Sequence, residues 1–353
     1  MTSEGTHQPA IPPTMRAAVY KRRGEIVVEE RRVPEIGPHD VLVEVDHCGI
    51  CGTDLHLVME GMGIPDSIGG HEWSGRLVAL GSAVEGWSLG DLVVAGPLAG
   101  CGVCVPCRRG RPAVCTRLPA FDYVSFQGAF ADYVRIQAAR LHRVPPGLSP
   151  RAAALAEPVA VALHGLTIGG GARPGQRVLV TGAGPIGLLT IAALRAAGVE
   201  DITVSEPAPE RRARALAIGA ARAVKPEELP AAPLITPVDE PFDVAYECSG
   251  RARACEAALD QLGYAGTLVL VGTGSERPSI NHNRLILLEL TVAGTFNYDA
   301  DGFARALELL ATGRLPVGQL IEPGAIALDG MLETMQRLAA GELAGKVMVA
   351  PTA

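Results

Sequence analysis

The chain has 353 residues, 31 of them basic and 38 acidic for a net charge of −7, with 48% hydrophobic and only 4% aromatic residues. That length exceeds what one hydrophobic core fills and predicts two domains. The acidic balance, with basic residues only in short dispersed pairs such as Arg22-Arg23 and Arg211-Arg212, excludes a nucleic-acid surface and an anionic membrane as partners.

Residues 1–14 carry an acid, three prolines and no apolar core, so a disordered leader is expected there and not a secretory signal. From Met15 to about Val144, short alternating apolar segments such as DVLVEVD, GRLVALG and ADYVRI are broken by Gly, Pro and Asp. This is the grammar of a β-rich, barrel-like unit. After Pro145-Pro146 an Ala-rich helical segment, Pro150 to Leu166, leads into regular βα alternation. Strands are expected at Arg177 to Thr181, Asp201 to Ser205, Asp243 to Glu247, Thr267 to Val271 and Leu290 to Thr295, with helices at Pro185 to Ala197 and Pro209 to Ile218. Because crossover helices cover both faces, such strands are apolar throughout, and the pattern predicts a six-stranded, doubly wound parallel sheet. The 17-residue apolar run Val178 to Leu194 holds three glycines and a proline near its start, which fits a strand turning into a helix and not a membrane span. A helix at Gly302 to Ala311 and a strand at Lys346 to Val349 are expected to return to the first domain.

Cys101, Cys104, Cys107 and Cys115 follow the spacing C-x2-C-x2-C-x7-C in a Gly/Pro-rich stretch. Four thiolates on one short loop form a closed tetrahedral set for a structural zinc ion. The competing reading, a disulfide pair, requires an oxidising compartment; with no export signal, the eight cysteines point to reduced thiols in a cytoplasmic setting. Gly182-Ala183-Gly184-Pro185-Ile186-Gly187 follows the strand RVLVT and opens a helix, the context of a dinucleotide-binding turn. Gly182 permits the turn, Gly184 lets a pyrophosphate approach the backbone, and Gly187 lets helix and strand pack closely. The helix N-terminus offers free N–H groups to the phosphates. Glu206, nineteen residues after Gly187, is placed to accept both ribose hydroxyls and would repel a 2′-phosphate, favouring NAD over NADP. Arg211 either stacks on adenine, approaches a 2′-phosphate, or is a solvated helix charge. Cys51 and His71 fall on turns at strand ends, and with an acid they would give zinc a mixed set that leaves room for water or substrate, the mark of a catalytic site.

Taken together, CGTDLH (Cys51 to His56), GGHEWSG (Gly69 to Gly75), the four-cysteine loop, AEPVAV (Ala156 to Val161) and GAGPIG make the chain resemble the zinc-dependent medium-chain alcohol dehydrogenases, nearest the sorbitol and threonine dehydrogenase-like branch. The resemblance implies an α/β architecture with a GroES-like catalytic domain, residues 15–160 and 297–353, around a Rossmann domain, residues 161–296. It implies two zinc ions per chain, the catalytic one held by Cys51, His71 and Glu72 or Glu157. Thr53 would bond the substrate hydroxyl and His56 would pass its proton towards solvent. Val161 and Ile186 would support the nicotinamide, Val271 and Thr273 would be further cofactor contacts, and Lys346 would approach the pyrophosphate.

The implied reaction is reversible NAD-dependent oxidation of an alcohol to a ketone or aldehyde through a zinc alkoxide and hydride transfer. The family also implies a homo-oligomer, dimer or tetramer, with small-molecule alcohol and ketone as its other partners. Departures from the polyol branch matter: Asn297 stands where that branch has a substrate-binding arginine, and Leu57 where it has an aromatic hydroxyl. With Val58, Met59, Met62 and Trp73 close in sequence, a fairly apolar secondary alcohol is expected. The alternatives are a polyol or threonine-type dehydrogenase and, outside catalysis, a nucleotide-binding scaffold. Cys48, His47, Cys248, Cys255 and His164 are given no ligand duty, and His39, His142 and His282 are expected at the surface.

Overall fold

The computed structural model of the protein describes residues 11–96, 100–117 and 127–352. Residues 1–10 of the expected leader lie outside the described residues.

The strands are β1 (Thr14–Arg22), β2 (Glu25–Arg32), β3 (Asp40–Gly49), β4 (Glu72–Leu80), β5 (Leu92–Ala95), β6 (Tyr133–Gln137), β7 (Leu141–Arg143), β8 (Arg177–Thr181), β9 (Asp201–Ser205), β10 (Arg222–Val224), β11 (Phe242–Glu247), β12 (Leu262–Leu270), β13 (Thr291–Gly294) and β14 (Met348–Val349). The helices are α1 (Gly52–Met59), α2 (Val105–Arg108), α3 (Pro150–Ala153), α4 (Ala156–Ile168), α5 (Pro185–Ala196), α6 (Pro209–Ile218), α7 (Ala252–Asp260), α8 (His282–Leu287), α9 (Gly302–Ala311), α10 (Val317–Leu320) and α11 (Met331–Ala339).

The first half folds as the alternation in its sequence requires. β3 pairs antiparallel with β4, β6 and β14, and the ladder continues through β5 to β7. Its inward residues Val41, Val43, Val45, Trp73 and Leu77 are buried together with Met331, Met335 and Val349 from the chain's end. The second half is a parallel sheet of order β10-β9-β8-β11-β12-β13. That is the doubly wound order whose topological switch lies between β8 and β11, where such sheets bind ligands beyond the strands' carboxyl ends. The sixth strand, β10, has three residues, too few to leave a periodic signature in the sequence.

The packing of the last quarter differs from expectation. Phe303, Ala306, Leu307 and Leu310 of α9 and Leu320 of α10 are buried in the same cluster as Val178 and Val180 of the parallel sheet. The return to the β-rich core begins near Leu328 and is made by α11 and β14. The apolar stripe of α9 packs on α4, whose Ala156, Ala160 and Leu163 share that cluster. No helix among the described residues is long and apolar enough to cross a membrane.

Candidate active site

The pairing of β3 with β4 builds the first metal-ligand group. Gly49 lies opposite Glu72 in the register, so the chain leaving β3 brings Cys51 beside His71 and Glu72 at the start of β4. One ligand atom from each of Cys51, His71 and Glu72 lies within 4.8 Å of the others. Cys51 is the N-cap of α1, and its backbone N–H donates to Asp54 Oδ2 at 2.8 Å. Asp54 is buried, with Oδ1 4.0 Å from His71 Nδ1. Thr53 Oγ1 lies 3.7 Å from Cys51 Sγ. Glu157, in the first turn of α4, is buried and interacts electrostatically with His71 and Glu72.

The electrostatics of this cluster call for a cation. Burial pushes the Glu157 carboxyl up to about 7, with Glu72 adding to the shift and His71 opposing it. Burial alone would depress His71, yet the Cys51 sulfur, Asp54 and Glu157 hold it well above the usual imidazole range. Buried charges persist only when paired or bound to metal. Here a thiol and three buried carboxyls face one buried lysine and the His71 ring. A thiolate, an imidazole and carboxylates form a donor set suited to zinc, so the residues fit the ion.

That lysine corrects one expectation. Lys346 does not reach towards a pyrophosphate; it is buried, with Nζ 2.7 Å from Glu72 Oε1, 2.6 Å from Glu72 Oε2 and 3.1 Å from the Ile50 carbonyl oxygen. Gly49 makes room for this pair, since a Cβ there would lie 2.4 Å from Glu72 Oε2 and 3.1 Å from Lys346 Cδ. β14 carries the neighbouring residues back against the end of β3, a long-range contact that the sequence around Lys346 cannot announce.

The four-cysteine group is equally compact. Ligand atoms of Cys101, Cys104, Cys107 and Cys115 lie within 4.8 Å of one another, and Cys104 Sγ is 3.7 Å from Cys115 Sγ. Backbone N–H groups of Cys101 and Arg117 donate to Cys115 Sγ, both at 3.4 Å, and that of Cys104 to Cys101 Sγ at 3.3 Å. The N–H of Cys107 holds Cys104 down at about 5, and that of Cys101 lowers Cys115, while burial and the neighbouring sulfurs push Cys107 up to about 12. Amides aimed at sulfur favour thiolates, and four such donors with no further ligand fit a closed zinc site.

The glycine turn leaves β8 at Gly182, whose φ of 89° suits glycine. A Cβ on Gly187 would lie 2.0 Å from the Gly182 carbonyl oxygen, so helix α5 can approach β8 only with glycine there. Gly184 caps α5, Pro185 occupies its first turn, and Ile186 packs partly buried against the core. Glu206, at the end of β9, is buried; Oε2 accepts from the Ala183 N–H at 2.8 Å and Oε1 from the Ala208 N–H at 2.9 Å. Its carboxylate thus braces the turn. Arg211 is neither a solvated charge nor a free stacking group: Nη2 donates to the Leu343 carbonyl at 2.8 Å and to that of Leu338 at 3.3 Å. Its Nη1 nevertheless comes within 3.9 Å of the Cβ position of Gly184.

His56 and Thr273 meet between the halves. His56 on α1 has Nδ1 2.8 Å from Glu60 Oε1, and its Nε2 is 3.4 Å from Oγ1 of Thr273, which follows β12. Val161 and Val271 lie partly buried against the core of the parallel-sheet half. His142, expected at the surface, instead stacks on Phe303 with ring centroids 4.6 Å apart. His164 is buried with Nδ1 3.0 Å from Asp299 Oδ2. Reading the sequence missed Asp54, Glu60 and the Glu72–Lys346 pair. Of these, Asp54 had a signal, since an acid three residues after a helix N-cap is capping-box spacing.

Comparison with known proteins agrees with this geometry. Residues 37–146 match the family model of the alcohol dehydrogenase GroES-like domain, and residues 185–312 that of the zinc-binding dehydrogenase domain. The chain is 32% identical over 335 residues to the sorbitol dehydrogenase of Bacillus subtilis, covering 93% of this chain and 94% of that protein. It is 35% identical over 325 residues to the L-threonine 3-dehydrogenase of Pyrococcus abyssi, covering 90% and 92%. A Sinorhizobium meliloti structure described as a zinc-binding dehydrogenase bound to NADP superposes with a TM-score of 0.86 at 34% identity, covering 96% of this chain and 99% of that one.

Proposed function

The chain belongs to the zinc-binding medium-chain dehydrogenase family, oxidoreductases acting on CH–OH donors with a GroES-like unit beside a Rossmann sheet, and on that premise we propose that it is an NAD-dependent dehydrogenase of fairly apolar secondary alcohols. One observation carries this reading. The ligand atoms of Cys51, His71 and Glu72 converge within 4.8 Å, while His56 of the same half meets Thr273 of the nucleotide half at 3.4 Å. On this reading the metal donors and the cofactor loop face one cleft.

When bound, zinc supplies Lewis-acid polarisation of the alcohol oxygen, and the nicotinamide accepts the hydride. Cys51, His71 and a carboxylate would hold the metal; the engagement of Glu72 by Lys346 favours Glu157 as the carboxylate free to exchange. Thr53 is close enough to Cys51 to bond a substrate hydroxyl beside the metal and take its proton. His56, partly exposed at the cleft, would pass that proton outwards. Buried Asp54 orients His71 and Cys51 from behind. The four-cysteine zinc would brace its loop without chemistry.

NAD is favoured over NADP by the carboxylate of Glu206 at the ribose end of the turn, although the Sinorhizobium relative was crystallised with NADP. Asn297 in place of a polyol-binding arginine, with exposed Met62 and Ile64 near α1, supports a less polar substrate. We further propose that 15–160 and 297–353 form the catalytic domain around the nucleotide domain 161–296, with the boundary softened by α9. Eight free thiols suit a cytoplasmic enzyme. The exposed edge strand β13, with Val292 and Phe296 at the surface, offers a second copy of the chain a strand to pair with.

The test is a panel of secondary alcohols, sorbitol and threonine, each with NAD and NADP, read as nicotinamide absorbance. Turnover of secondary alcohols with NAD is expected. Turnover confined to sorbitol or threonine would overturn the substrate, and preference for NADP would overturn the role of Glu206.

A further inference from the structure

Glu60 is one turn beyond His56 and caps the end of α1, where the Glu60 N–H donates to the His56 carbonyl at 3.3 Å. The Met62 N–H donates to the same carbonyl at 3.4 Å, so the chain folds back over the end of the helix. Among the described residues, the ion pair of Glu60 is with His56. The nearby cation, Arg23, directs its Nε to the Met59 carbonyl at 3.0 Å. The carboxylate is thereby left to the ring.

We propose that Glu60 is a positioning residue that fixes the tautomer of His56, holding hydrogen on Nδ1 so that Nε2 presents a lone pair across the cleft. An ionised carboxylate only accepts. At the 2.8 Å separation of Nδ1 from Glu60 Oε1, the hydrogen must therefore belong to Nδ1. A neutral imidazole then has its single acceptor at Nε2, and the partner of one ring nitrogen sets the function of the other. Nε2 is the nitrogen that faces the nucleotide half, 3.4 Å from the Thr273 hydroxyl. Thr273 is well anchored for this, since its carbonyl packs so closely on Gly250 that a Cβ there would lie 2.0 Å away.

Histidine in water ordinarily favours hydrogen on Nε2, the form that could not accept a proton from the cleft. Exposed carboxylate–imidazole pairs at this spacing add little stability. The value of Glu60 lies instead in which nitrogen it leaves open. The inference rests on His56 as the outward proton carrier of the proposed reaction.

The tautomer is read directly by long-range proton–nitrogen correlation in zinc-loaded protein labelled with 15N-histidine, the His56 signals being assigned by their loss in His56→Gln. The neutral wild-type ring should carry hydrogen on Nδ1. Glu60→Met should move it to Nε2 with unchanged zinc content and melting temperature, while Glu60→Gln, whose amide oxygen still accepts, should keep it on Nδ1. In steady state, Glu60→Met should lower kcat for alcohol oxidation by about tenfold, a fraction of the full ~10²-fold or more of general acid–base catalysis, with KM for NAD unchanged. A wild-type ring with hydrogen on Nε2, or an unmoved tautomer in Glu60→Met, overturns the proposal. A tautomer that moves while kcat does not would uphold Glu60 as the positioning group and sink the carrier role of His56.

Discussion

Replacing Lys346 by methionine keeps an unbranched stem of similar length while deleting the cation that faces Glu72. Both partners are nearly inaccessible, Glu72 at 1% and Lys346 at 3% exposure, with the ammonium 2.6 Å from one carboxylate oxygen and 2.7 Å from the other. Breaking such a buried pair leaves an uncompensated charge and costs about 3–5 kcal/mol. At about 2–4 °C per kcal/mol for a chain of some size, the melting temperature of chelator-stripped protein should fall by roughly 6–20 °C. The fall should be smaller in zinc-loaded protein, because the metal supplies positive charge beside the same carboxylate. Lys346→Arg should not fully rescue, because a planar, forked guanidinium must replace a compact ammonium at a position only 3% exposed. Removing both charges in Lys346→Met/Glu72→Gln should recover most of the loss, as coupled residues do. Scanning calorimetry of the four proteins, stripped and loaded, decides it. A stripped single variant melting within about 2 °C of wild type, below the ~1 kcal/mol that this slope resolves, would refute the reasoning.

The two zinc sites should separate by phenotype. Cys51→Ser is expected to abolish turnover with fold and NAD binding nearly intact, whereas Cys104→Ser should lower the melting temperature, because structural zinc contributes folding energy; equal melting with activity lost in both would contradict the division. Zinc uptake by stripped protein should weaken as pH falls. Burial holds the Glu157 carboxyl up at about 7 and the Cys51 sulfur helps hold His71 well above its usual range, so both carry protons below those values that zinc must displace. Affinity measured by chelator competition should drop about tenfold per pH unit for each displaced proton between pH 8 and 6, and a flat profile would oppose this account. Glu206→Ala should raise the ratio of NADP to NAD efficiency by at least about tenfold, the equivalent of ~1.4 kcal/mol; an unchanged ratio would remove Glu206 from cofactor choice.

Much of the fold was legible because its signals are local. The run RVLVT followed by GAGPIG specifies strand, turn and helix within a dozen residues; β8 begins and ends where those signals put it, and α5 begins at Pro185 as expected and ends one residue early, at Ala196. The four cysteines lie within fifteen residues and had little choice but to converge. What stayed hidden depends on contacts distant in sequence. Lys346 lies 274 residues from Glu72, and the pairing of β14 with β3 brings them together. The inward turn of Glu206 onto Ala183 depends on the exact height of two adjacent strands. Helix α9 carries an amphipathic pattern that says it packs, but not that α4 is its partner. His142 looked like a surface residue because nothing near it in sequence announces the ring of Phe303.

The central claim is that a zinc ion sits among Cys51, His71 and a carboxylate, facing the glycine turn across the cleft. Anomalous scattering at the zinc edge from crystals grown with NAD tests it most directly. Two peaks per chain are expected, one enclosed by Cys101, Cys104, Cys107 and Cys115, the other within bonding distance of Cys51 Sγ and His71 on the side open to the nicotinamide. A single peak at the four cysteines, with Lys346 still paired to Glu72 and the cleft holding cofactor alone, would contradict it.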